Sequence, residues 1–248
     1  MKLNAFTLAE VLVTLGIIGV VAALTMPTLI ANYRERVFVV SAKKNYSVLS
    51  NAVNKWNANN GTIGDATLFW LVNDSNYSAL QELAKELNVV QICDSSEIVK
   101  CGGRYTVLQY KKVNDGNGNT AQENWIASFP RLVLSDGTFV SLSREAARSG
   151  SCEVVQWINL KDENGYYVKD ETSPTGFKGW YWTNTICGRI AFDTNGVKGP
   201  NQIGVDVFEL AYSGNGKVGG NSDGWGNIEY VLKNNKLIKT EKYTPGKF

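Results

Sequence analysis

One carboxylate stands alone in a long apolar run. Residues 6–30 read FTLAEVLVTLGIIGVVAALTMPTLI, and Glu10 is the only charged residue among them. A carboxylate is costly in hydrocarbon, so its presence there marks a function that waits for a partner. The other residues with chemical potential lie far downstream. Cys93, Cys101, Cys152 and Cys187 lack the paired CxxC units of a zinc site. Asp193 and Asn195 at alternating positions, with Asp206 further on, offer oxygen ligands suited either to Ca2+ or to an Asx-rich turn. The segment is not an EF-hand, because Gly196 follows Asn195 immediately and no glutamate closes the loop. Trp157 with Gly179-Trp180-Tyr181-Trp182 reads either as a stacking platform for a sugar or as core.

Several function classes lose their basis at once. The chain contains no histidine, which removes the commonest general base and the commonest metal ligand. Ser-His-Asp and Cys-His arrangements are therefore impossible. There is no phosphate-binding loop and no nucleophile–base pair, so no catalytic residues are expected and no cofactor is required. A net charge of +2 over 248 residues gives no basic excess, and nucleic acid is not indicated as a partner.

The elements that must position these residues follow from periodicity. As a helix, residues 6–30 extend about 37 Å, enough to cross a bilayer core of roughly 30 Å. The run is too long, and its preceding segment too short, for an ordinary secretory signal peptide. Gly16, Gly19 and Ala23 stand near small-residue helix-packing spacing, or simply reflect the usual composition of membrane helices. Residues 31–59 contain no glycine or proline. Tyr33, Val37, Val40, Tyr46, Leu49, Val53 and Trp56 form the stripe of an amphipathic helix that stops near Gly61. The helix is either one element or two broken near Pro27.

Downstream, residues 76–88 predict a helix carrying Leu80, Leu83 and Leu87 on one side. Strands are predicted over 105–110, 131–134, 138–142, 154–160, 189–192, 205–211 and 228–232, with Asp136-Gly137 as a two-residue hairpin signal. Residues 114–119 and 213–227 are turn-prone loops. The expected fold class is α+β: a long N-terminal helix, its first half membrane-embedded, packed on an antiparallel sheet. Four cysteines allow three pairings; proximity suggests Cys93 with Cys101, leaving Cys152 with Cys187. Such disulfides imply an oxidising exterior, and reduced core cysteines are the alternative.

Ala5-Phe6-Thr7-Leu8-Ala9-Glu10 resembles the prepilin processing site of type IV pilins and type II secretion pseudopilins. The resemblance implies cleavage after Ala5, N-methylation of Phe6 and an assembly role for Glu10. Ala5 departs from the family's usual glycine, although it is still small. The implied organisation is a leader (1–5), a transmembrane and assembly half-helix (6–30), an amphipathic half-helix (31–60) and a globular head (61–248). The implied partners are copies of itself or other pilins in a filament, prepilin peptidase, inner-membrane assembly machinery, and membrane lipid before assembly. The implied location is the inner (cytoplasmic) membrane, single-pass with an exported head, and then a pilus or pseudopilus. Arg34, Arg36, Lys43 and Lys44 follow the apolar run while Lys2 alone precedes it, which opposes export by the positive-inside tendency. The processing motif and the cysteines favour it. Residues 193–206 resemble a C-terminal stretch of some pseudopilin heads. Two alternatives stay open: a minor tip pilin whose head binds a sugar or DNA, and an exported membrane-anchored domain that does not polymerise.

Overall fold

The computed structural model describes residues 7–63, 69–70, 75–105, 107–108, 122–123, 130–144, 152, 154–184, 186–214, 218–220 and 228–237. Ala5, Phe6 and the loop at 114–119 lie outside them.

A single helix, α1 (Leu8–Asn59), begins at an N-cap on Thr7 and continues through Pro27. Proline lacks an N–H and leaves the Ala23 carbonyl without its helical donor. One turn earlier, the Thr25 hydroxyl donates to the Val21 carbonyl at 2.9 Å. The helix ends where Gly61 takes φ +72°, a left-handed conformation natural to glycine. There Thr62 N–H donates back to the Asn57 carbonyl at 2.8 Å.

The head packs against only the second half of α1. A six-stranded antiparallel sheet has the order β1-β4-β5-β8-β9-β10, with β1 (Val89–Cys93), β4 (Arg131–Leu134), β5 (Phe139–Arg144), β8 (Ile186–Asp193), β9 (Val207–Ser213) and β10 (Val218–Gly220). Two short pairs lie outside it: β2 (Val107–Leu108) with β3 (Gln122–Glu123), and β6 (Val154–Asn159) with β7 (Gly179–Asn184). Val39, Ala42, Leu49, Val53 and Trp56 of α1 bury against Leu132, Val140, Leu142, Ile190, Phe192, Phe208 and Leu210 of one sheet face. The Tyr212 hydroxyl, fixed in β9, donates to the Leu49 carbonyl at 3.2 Å. A short helix, α2 (Asn76–Ala84), caps this core with Leu80 and Leu83. The α+β architecture expected from the sequence is the one observed, with a long apolar N-terminal helix on an antiparallel sheet.

Several elements differ from expectation. Residues 228–232 are not a strand. They form α3 (Ile228–Asn234), which buries Ile228 and Val231 at helical spacing and leaves Tyr230 outward. The Lys43 ammonium donates to the Leu232 carbonyl at 3.0 Å and to the Asn235 side chain, closing the C-terminal end of α3 from α1. The expected helical stripe is split. Leu49, Val53 and Trp56 are buried, but Tyr33, Val37 and Val40 are exposed, because they precede or face away from the head. The helix over 76–88 stops at Ala84, although Leu87 still packs on the core. The Asp136-Gly137 connection is not a two-residue turn. Leu134 N–H bonds the Thr138 carbonyl at 2.9 Å across three intervening residues, and Gly137 takes φ +87°. Part of the expected loop at 213–227 is β10, paired to β9.

Both disulfides form: Cys93–Cys101 and Cys152–Cys187. The second links the chain just before β6 to β8, and so ties the β6–β7 pair to the main sheet.

Gly188 in β8 has no room for a side chain. A Cβ there would lie 2.3 Å from the Trp70 ring, which is fully buried. Gly188→Ala should therefore destabilise by about 1–3 kcal/mol, as overpacking does. Thermal unfolding of the full chain in detergent measures this, and Trp70→Phe in the same background should recover part of the loss.

Candidate functional site

The first candidate is Glu10. Thr7-x-x-Glu10 before an apolar run is a capping-box pattern, and the structure forms it. Glu10 Oε2 accepts from Thr7 N–H at 2.8 Å and from the Thr7 hydroxyl at 2.9 Å, while Glu10 N–H donates to Thr7 Oγ1 at 3.3 Å. The apolar context alone suggested a carboxylate with nothing to gain from its own helix. That view is corrected: Glu10 satisfies helix-end donors. Oε1 has no partner among the described residues and stays available to another chain. The sequence carried the signal in Thr7, one residue before the helix.

Around Glu10 none of the described residues covers the helix. The most apolar 18-residue window of α1 has a mean hydropathy of 2.3 and none of it is buried. Leu12, Leu15, Ile18, Leu24 and Leu29 are each more than half exposed. One long apolar N-terminal helix of this kind is compatible with a single-pass membrane anchor.

The second candidate lies on the sheet face away from α1. Strand register sets Arg131, Ser141, Ala191 and Glu209 side by side across β4, β5, β8 and β9. Arg131 is completely buried between the rings of Tyr105 and Phe139, at 5.0 and 4.7 Å from their centroids. Its Nη1 donates to the carbonyls of Cys101 and Gly103 at 2.7 and 2.8 Å. The Cys93–Cys101 disulfide thus helps place the carbonyls that hold the cation. Nothing in the sequence around Arg131 marks it as buried.

Asp193, the last residue of β8, is fully buried and its charge acts on this cation; Asp206, also fully buried, lies close enough to act on Asp193. Asp206 is held by its own loop: Oδ2 accepts from Asn201 N–H at 2.9 Å and Oδ1 from Gln202 N–H at 2.7 Å. Asp193 Oδ1 accepts from Asn195 N–H at 3.2 Å. Asp193 Oδ2 and Asn195 Oδ1 have no hydrogen-bond partner of good geometry. A Ca2+ ion takes six to eight oxygens. Here the structure brings together the three residues singled out from the sequence, but both oxygens of Asp206 are spent on backbone amides. Among the described residues no group of three Asp, Glu, His or Cys side chains could hold a metal. The arrangement is that of an Asx-stabilised loop with two open oxygens.

Trp180 and Tyr181 do not share one face. Trp180 and Tyr181 are 51% and 61% exposed, but adjacent strand residues point to opposite faces of the β6–β7 pair. Register sets Trp157 opposite Tyr181 and Trp182 opposite Gln156.

Burial gives the acid pair a pH signature. It pushes the Asp206 carboxyl up to about 7, against the pull of its two amide donors. Burial first, and then the charge of Asp206, pushes Asp193 well above the ordinary range. Between about pH 4, where unfolded carboxyls titrate, and about 7, the folded chain binds more protons than the unfolded one. The stability from this pair is therefore complete at the acid end and lost as pH rises towards 7. Glu82, Glu86 and Asp136 have lowered values, so their contributions are lost only below about pH 4 and do not overlap this window. The melting temperature of the full chain in chelator should fall as pH rises from 5 to 7. Asp193→Asn keeps the acceptor for Asn195 and should flatten that slope, leaving the variant more stable than wild type at neutral pH. A flat or rising wild-type profile would contradict this account.

No family model, curated protein or solved structure matches this chain, so its function is argued from its own residues.

Proposed function

We propose that this chain is a structural or accessory subunit of a type IV pilus or a secretion pseudopilus. It is trimmed after Ala5, methylated on Phe6 and assembled through its N-terminal helix. The observation that carries the reading is the uncovered apolar half of α1 with Glu10 as its only charge. An apolar surface of that length needs lipid or neighbouring helices around it. In the filament, the Glu10 carboxylate pairs with the new amine of Phe6 on an adjacent subunit. In such a dry surrounding, attraction is strong and an unpaired charge is expensive. The pairing sets axial register and rejects unprocessed chains.

A second reading is a minor subunit at the filament tip whose head binds a ligand such as a sugar. Solvent exposure of Trp180 and Tyr181 on the β6–β7 pair favours it. Calcium would be an accessory ligand at Asp193, Asn195 and Asp206, the residues singled out from the sequence. It would fix the carboxylates as anions, so millimolar calcium at pH 7 should then raise the melting temperature.

Intact-mass measurement of the filament form should show a chain starting at a methylated Phe6; retention of residues 1–5 there would refute processing. Glu10→Gln separates the two roles of Glu10. Glutamine keeps the capping box and loses the charge, so membrane insertion should survive while filament incorporation falls sharply. Glu10→Ala should fail likewise. Cell fractionation followed by filament shearing reads both steps. Normal incorporation of both variants rules out pairing, whereas absence of the wild-type chain from sheared filaments leaves an exported, anchored domain that does not polymerise.

A further inference from the structure

We infer that the groove where the stem of α1 meets the end of α3 binds the phosphate headgroup of an anionic phospholipid. The inference rests on residues 8–30 being a membrane span. The groove is lined by Asn32, Glu35, Arg36, Val39, Asn235 and Lys236 and encloses about 390 Å³. Arg36 and Lys236 come from opposite ends of the chain, yet they line the same hollow. Both are exposed, and neither has a hydrogen-bond or ion-pair partner among the described residues. Glu35 offsets one of these cations, so the groove keeps a net positive charge. The Asn32 amide adds neutral donors on the same wall.

Depth identifies the ligand. Along α1, Asn32 and Arg36 stand about 3 and 9 Å beyond Ile30, the last residue of the apolar run. A headgroup layer is about 5–8 Å thick on each side of the hydrocarbon core. The groove therefore lies at the level of lipid phosphates. Tyr33, 68% exposed at the same height, is the residue type that anchors helices at this boundary. The turns just before it expose Met26, Leu29 and Ile30, apolar surface on which acyl chains can lie. A free phosphate gains nothing from that surface, which favours a lipid as the source of the anion. The arrangement also explains how cations can follow the apolar run on the head side: lipid phosphates hold them there.

The test uses the full chain in non-ionic detergent with equimolar phosphatidylglycerol and phosphatidylcholine. Lipid retained on the protein is read by native mass spectrometry. A cation near the surface contributes about 1 kcal/mol, so wild type should retain the anionic lipid about fivefold over the neutral one. Arg36→Gln with Lys236→Gln should bring the ratio to one or below, because Glu35 remains, whereas Arg36→Lys with Lys236→Arg should keep the preference. Equal retention by wild type, or a preference unchanged in the neutral variant, overturns the proposal. Displacement of the lipid by millimolar inorganic phosphate overturns it in favour of a free-anion site. Flotation with vesicles separates the underlying reading. A chain that floats without lipid preference refutes only the headgroup site, whereas one that floats with no vesicle refutes the membrane span.

Discussion

Residues 8–30 of α1 are exposed apart from the half-buried Ala22, and in the most apolar window none is buried. Water is a poor solvent for such a surface, and none of the described head residues buries it. The rest of the structure accommodates that fact. α1 runs without interruption from the apolar half into the core, so the head cannot choose its own position relative to whatever covers the apolar half. The same helix carries Val39, Ala42 and Leu49 into the domain interior, and Tyr212 pins its backbone to β9. Lys43 and Lys55 tie it to α3 and to Glu86. These contacts turn a membrane-compatible rod into a rigid stem.

The head resists distortion because its central strands are buried on both faces. One face of β5, β8 and β9 supplies the apolar surface for α1. The other carries Arg131, Ser141, Glu209 and Asp193, all fully or almost fully buried. A buried cation between two rings, with the Asp193 carboxylate acting on it, is a poor source of net stability compared with apolar packing. It is also intolerant of misalignment, because each partner left alone is expensive. The Cys93–Cys101 link and the loop from Asp193 to Asp206 both terminate on this cluster. We read it as the device that fixes where the loops lie over the back of the sheet.

Much of this plan was legible in the residues, for identifiable reasons. A long uncharged run has few physical interpretations, and Gly61 at positive φ marks the end of α1. Strands β4, β5, β8 and β9 announced themselves by period-two patterning or by turn residues. The failures are equally specific. Ile228 to Leu232 is a short apolar run for which strand and helix periods cannot be told apart; packing against α1 decided it. In β1, two of the middle residues are exposed and only Cys93 is buried, so it lacks a pattern and was missed. Tyr33, Val37 and Val40 satisfy helical spacing, but which residues of an amphipathic stripe are covered depends on where the head begins. Arg131 could not be found at all, since its burial depends on Tyr105 and Phe139 arriving from distant segments. Glu10 was legible in both its aspects, the isolated charge and the capping box, and only the second required attention to Thr7.

The spacing of charges along α1 refines what Glu10 costs. From Glu10 to Arg34 there is no other charged residue. Twenty-four residues of helix span about 36 Å, more than the roughly 30 Å of the hydrocarbon core. If residues 8–30 span a bilayer with Arg34 and Arg36 at the headgroups on the head side, Glu10 reaches the opposite boundary, where its carboxylate and the capped helix end both meet water. The carboxylate is therefore tolerable in the membrane. It becomes expensive only when the helix is drawn towards the head side, which carries Glu10 into the apolar layer. Under the proposed function, assembly into a filament is such a withdrawal. On that proposal, a charge placed at this end would be nearly neutral for a lone subunit and obligatory to neutralise in an assembled one. The capping box leaves Oε1 open for that purpose, while Thr7 keeps the helix end satisfied throughout the transfer.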